Sequence, residues 1–320
     1  MVIAETILLL AAVLFCLLFP KRRRALSSEL SLKHFYWISA ALFLLALGLR
    51  LFRFTQVPLP LHIDETMAAY ESYSLSLTGA DRFGVHLPAH FEGWVYGQMS
   101  VLLSYLAVPF MWLLGPCTLA IRLPSLLLSM AGLWALWYLA KRAVSPRAAL
   151  FVLGFSAIAP WHLLQSRWAI DCNLFPHLFL LGVLCLWLGA ERGPRSGFYF
   201  LAMICFAASM YSYGVAYYVV PLFLLPAALW LIRRKKIRWG ALLGCAGLFL
   251  LLSAPALLVI AVNLFGWDTI STPLFTATHF TQTQRLADML FFSPNFFEQL
   301  WANLQSLFQT TVLQGHARCV

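Results

Sequence analysis

Residues 97–114 read GQMSVLLSYLAVPFMWLL, and whether this run crosses a bilayer decides the topology of the whole chain. Its length approaches the roughly 20 apolar residues needed to span ~30 Å of hydrocarbon. Yet Pro109 lies inside it, Gly97 and Gly115-Pro116 bound it, and only a few residues separate it from the next apolar run. We read it as a helix lying on, or dipping into, one membrane face.

Eight further apolar runs surround it, at 2–19, 35–53, 121–140, 148–164, 174–190, 197–212, 215–232 and 239–264. Hydrophobic residues make up 62% of the 320, charged residues only 11%, and the mean hydropathy is +0.80, a balance no soluble core requires. The fold class expected is an all-α polytopic integral membrane protein, with about eight membrane-spanning helices and a juxtamembrane helix in its first outer loop. The start MVIAETILLL lacks a basic n-region, and Lys21-Arg22-Arg23-Arg24 follows the apolar run, so residues 1–20 read as an anchor and not as a cleaved leader.

Basic residues assign the sides. Lys21 to Arg24 with Lys33, then Lys141, Arg142 and Arg147, then Arg192 and Arg195, then RRKKIR at 233–238, together hold 15 of the 22 Lys and Arg. The positive-inside rule therefore places all four linkers in the cytoplasm. That requires an even number of crossings between the first two linkers, which holds only if 97–114 stays out of the bilayer. The net charge of +10 is thus topogenic, and nucleic acid is not an expected partner. The outer segments become 54–120, 165–173, 211–216 and 265–320. The domain plan is a transmembrane module at 1–265, with its first outer loop at 54–120, followed by a second outer-face segment at 266–320 that reads as truncated.

The acids and the remaining arginines collect on that outer face. In LPLHIDETMAAYESYSL, Asp64 and Glu65 precede a helical pattern starting near Thr66. Two roles fit them: an N-terminal cap, which needs one carboxylate, or a base or ligand at the membrane surface. Arg122 opens a span in AIRLPSLLLSM, and Arg167 ends another in LLQSRWAIDCNLF, with Asp171 one turn later. Snorkelling to the interface accounts for either arginine, and so does phosphate binding, with Asp171 orienting Arg167. His62, His86, His90 and Glu92 beside Asp64 suggest a divalent metal, but Pro88 interrupts HLPAH, so the pattern is weak and no cofactor is assigned. The seven cysteines form no CxxC; Cys117 and Cys172 offer one candidate bridge on the outer face, and sequence alone does not assign the pairing.

Taken in order, HIDE, TGADRFG, W-x-YGQ, IRLPS, SRWAIDCNLFPH and MYSYGVAYYVVPLFLL resemble the N-terminal part of GT-C membrane glycosyltransferases of the protein O-mannosyltransferase and aminoarabinose transferase family. The resemblance covers roughly residues 35–230. It implies transfer of a sugar from a polyprenyl-phosphate carrier to an acceptor on the extracytoplasmic face, typically with inversion, in a plasma membrane, here a bacterial one. It implies Asp64 as general base with Glu65 beside it, Arg122 and Arg167 at the phosphate end, and Asp171, Glu92 and His62 in support. It also implies a juxtamembrane helix where 97–114 stands. The partners implied are the lipid-linked donor, membrane lipid and an unspecified acceptor. Two other readings fit the same charges: a transporter or flippase for the lipid-linked sugar, and an inactive fragment of the transferase.

Overall fold

The computed structural model describes residues 32–59, 61–93, 98–280 and 296–309. The first expected span, 2–19, lies outside the described residues. The helices are α1 (Leu32–Leu51), α2 (Ile63–Thr78), α3 (Leu102–Leu114), α4 (Thr118–Ala143), α5 (Pro146–Ile158), α6 (Pro160–Arg167), α7 (Phe175–Arg192), α8 (Phe198–Met210), α9 (Ala216–Arg233), α10 (Trp239–Phe265) and α11 (Phe296–Phe308). Two antiparallel ribbons of two residues per strand, Phe91–Glu92 with Gln98–Met99 and Ile270–Ser271 with Thr276–Ala277, lie in the loops.

Among the described residues five helices are long and apolar enough to cross a membrane, and a bent pair makes six, so the chain is an all-helical integral membrane protein. Among the described residues the eight expected crossings are only partly seen: the first span lies outside them, and two further runs are not single long helices. The run 148–164 is broken: α5 and α6 meet at 62°. Pro160 has no amide to donate and forces Ala159 out of the helical region, to ψ 120. Helix α8 has 13 residues, about 20 Å of rise, which is short of the hydrocarbon thickness. Helix α3, also 13 residues, is likewise too short to span, and it packs between α2 and α4 as the reading of 97–114 requires.

The bundle is held by close approach of α7 and α8. A Cβ on Gly182 would stand 2.8 Å from the Phe206 ring, and one on Gly189 would stand 2.7 Å from Tyr199. Small residues at this face let two helices come together where the solvent offers no hydrophobic drive. Phe175, Phe179, Phe206 and Phe223 form the centre of this layer, with ring centroids 5.1 to 5.8 Å apart.

The loops gather at one end. The amide of Leu102 donates to Tyr211 O at 3.0 Å, Ala169 packs in one cluster with Met67 and Ile121, and Thr276 exchanges backbone bonds with Leu87 and Ala89 at 2.9 and 2.8 Å. Segments 54–120, 165–173 and 211–216, with the ribbon after α10, therefore share one end of the bundle. The basic linkers after α4, α7 and α9 share the other, where the Tyr199 hydroxyl donates to Lys236 O and Arg142 pairs with Glu191.

Candidate active site

Helix α2 starts three residues earlier than its sequence pattern suggests, and neither carboxylate caps it. His62 is the N-cap: its Nδ1 accepts the Asp64 amide at 3.2 Å, leaving Asp64 and Glu65 in the first turn, where the helix dipole favours negative charge. Successive residues on a helix point about 100° apart. One of two adjacent carboxylates must then face inwards if the other faces out.

Glu65 is the inward one. It is fully buried, as is Arg122, whose Nε and Nη2 donate to Glu65 Oε1 and Oε2 at 2.6 and 3.0 Å. The same guanidinium donates to Phe54 O at 2.9 Å and Pro58 O at 3.0 Å, and the Ala169 amide reaches Glu65 Oε1 at 3.4 Å. One ion pair thus fastens α2, α4, the segment after α1 and the turn after α6. The resemblance puts Arg122 at the phosphate end; here its four donor contacts are taken inside the protein, and no surface of the side chain reaches solvent.

Arg167 likewise bonds inside the protein. Its Nη1 donates to Leu49 O at 3.2 Å, and Nη2 donates to Phe52 O and Arg53 O at 2.6 and 3.0 Å, so it closes the C-terminal end of α1, where carbonyls lack helical partners. It forms no pair with Asp171. That carboxylate instead accepts from the Cys172 amide at 2.7 Å and from Ser100, and stands close enough to Asp64 for their charges to interact.

Asp64 is the carboxylate left facing out, with half of its side chain exposed. His62 Nδ1 lies 3.4 Å from its Oδ2, and the imidazole edge meets Trp168 at 5.5 Å. Because that nitrogen accepts the amide proton, it donates nothing to the carboxylate. Asp64 thus neighbours Asp171, with Trp168 against His62 and the next residue along α2, Glu65, turned inwards to Arg122.

The remaining expected residues do not join them. Among the described residues no three metal-ligating side chains gather. His86 packs over Gly79, and His90 is buried, which holds its imidazole at about 4 and therefore neutral. Glu92 contributes its carbonyl to Arg82 Nη2 at 2.7 Å, and its carboxylate makes no ion pair among the described residues. Cys117 and Cys172 are free thiols.

Sequence reasoning missed two supports. Arg82 donates from its backbone and side chain to Glu71, whose carboxyl burial raises against the lowering effect of that pairing. Arg50, inside an expected span, is fully buried and donates to Ala46 O, Ser156 O, Ala157 O and His162 Nδ1 at 2.8 to 3.2 Å. A lone arginine in LLALGLR was the available signal, since a charge in an apolar span needs a partner.

Residues 99–259, just over half of the chain, match the family described as dolichyl-phosphate-mannose-protein mannosyltransferase. Among solved structures, the chain is similar to apo ArnT from Cupriavidus metallidurans, with a TM-score of 0.51 at 16% identity over 73% of this chain. It spans 42% of the length of that chain. No curated protein sequence matches it.

Proposed function

From the premise that the chain belongs to the dolichyl-phosphate-mannose-protein mannosyltransferase family, we propose that it takes part in transferring a sugar from a polyprenyl-phosphate carrier to an acceptor on the extracytoplasmic face of a bacterial plasma membrane, with inversion. The observation that carries this reading is the opposite fate of two neighbouring carboxylates. Glu65 is sealed against Arg122, while Asp64 stays open to the surface beside it.

Asp64 is the general base. It takes the proton of the acceptor hydroxyl as that oxygen attacks the anomeric carbon, and the bond to the carrier breaks with its electrons passing to the departing lipid phosphate. A positioned base contributes about 10²- to 10⁴-fold. His62 and the first turn of α2 hold Asp64 at the rim, and Asp171 limits how closely a second anion approaches. Arg122 and Arg167 act from beneath: they lie near enough to sense one another, and Glu65 neutralises only one of them. The remaining positive field favours charge developing on the leaving phosphate without contact to it. The donor's phosphate carries the leaving charge already, so the scheme needs no nucleotide.

The test uses Asp64→Asn in the longest natural form of the protein, with a labelled polyprenyl-phosphate sugar. Transfer is expected to fall by about 10²-fold or more while membrane insertion and thermal stability stay unchanged. Transfer at the unmodified rate removes Asp64 from the role of base. Movement of intact labelled lipid across vesicles, with no release of polyprenyl phosphate, replaces transfer by transport.

A further inference from the structure

At the end of the bundle away from Asp64, the linker between α7 and α8 arches over a cleft of about 660 Å³ that the proposed reaction does not use. Arg192, Arg195 and Arg238 line it, with Ser196, Phe198 and Leu201. Among the described residues no carboxylate pairs with any of these three arginines. Arg192 is steadied over the Phe198 ring at 4.3 Å. A Cβ at Gly193 or Gly197 would meet nothing within 4 Å, so the backbone leaves open space in the cleft that the three arginines line.

The helices add to the positive field. Helices α8 and α10 both begin at the cleft, and neither has an acid in its first turn. Their N-terminal dipole ends reinforce the arginines and do not offset them. The floor is apolar: Leu201, which lines the cleft, is followed along α8 by exposed Ile204, and Arg238 is followed along α10 by exposed Trp239 and Leu243. A ligand seated here places a negative group among guanidiniums and an apolar tail along two membrane helices.

We propose that this cleft binds the headgroup of an anionic phospholipid, with its acyl chains against α8 and α10. Topogenic arginines need only lie on one side of the bilayer. They need neither a shared cleft nor an apolar track leading from it, and basic pockets between membrane helices are fitted to anionic headgroups. The volume is in the range of ligand sites and accommodates a glycerophosphate group.

The test is thermal unfolding of the full chain in detergent, with phosphatidylglycerol, phosphatidylcholine or inorganic phosphate added in turn. Phosphatidylglycerol is expected to raise the midpoint by several degrees and the other two not to, with native mass spectrometry showing retained phosphatidylglycerol. Arg195→Gln combined with Arg238→Gln should lose both effects. Arg147→Gln, which removes an exposed charge near the start of α5 but outside the cleft, should keep them. Equal shifts with phosphatidylcholine, full protection by inorganic phosphate, or equal loss in Arg147→Gln each overturn the proposal. The lipid comparison on the unmodified chain decides the matter even if the double variant fails to fold.

Discussion

The two ends of the bundle use arginine in opposite ways. At the Asp64 end, Arg50, Arg122 and Arg167 are buried and bonded to carbonyls, a carboxylate or an imidazole. At the other end, Arg192, Arg195 and Arg238 surround an open cleft with no acid paired to them among the described residues. Chain geometry explains the difference. The Asp64 end is where helices break, at Ala159-Pro160 and in residues 52–58 after α1, and breaks leave carbonyls without amides. A guanidinium, with five donors in a fixed fork, satisfies several of them at once. The basic end has tight linkers whose amides are used within the turns, so its arginines face outwards.

The largest effect that tests this contrast comes from Arg122→Met. It leaves Glu65 charged, buried and unpaired, at a cost of about 3–5 kcal/mol, read as loss of thermal stability in detergent. Combining it with Glu65→Leu should restore most of that stability, since the paired charges gain little over a well-packed apolar replacement. A small loss in the single variant would mean that Arg122 is not locked inside and would reopen contact with the donor phosphate. Next comes Arg167→Gln, which strips three carbonyls of their donors and should cost about 1–3 kcal/mol. If transfer falls much more than stability does, Arg167 supplies field to the leaving group as well as closing α1.

Much of this end was legible before any coordinates. The parity of the basic linkers kept 97–114 out of the bilayer; α3 has 13 residues, no fewer than α8, which the same reading counted as a crossing, so parity and not length carries that step. The break inside 148–164 had a visible cause in Pro160, but an apolar run on both sides masked it. The site was legible in its parts and not in its wiring. Asp64, Glu65 and Arg122 stand out as charges among apolar residues, but which carboxylate turns inwards depends on where α2 is rotated. Arg122 in turn finds acceptors at Phe54 and Pro58, more than 60 positions earlier. Such acceptors are backbone atoms without a side-chain signature, so no motif announces them. Arg167 and Asp171, spaced like a helical pair, are separated by the end of α6 and an intervening extended stretch, which cancels the spacing argument.

The smallest effect sharpens the comparison from the basic end. Arg142 and Glu191 join α4 to α7 at 2.9 Å, with side chains 44% and 35% exposed. This is the same pair of chemical groups as Arg122 and Glu65, at a slightly longer distance, but it lies in water and not in the protein interior. Water already solvates each charge, so removing one partner strands nothing. Arg142→Gln should therefore cost less than about 1 kcal/mol, and less still at high salt, where screening weakens exposed pairs. Measured beside Arg122→Met in one thermal series, it isolates burial as the variable. If Arg142→Gln proved as damaging as Arg122→Met, the contrast between the ends would lie in helix packing and not in the solvation of charge.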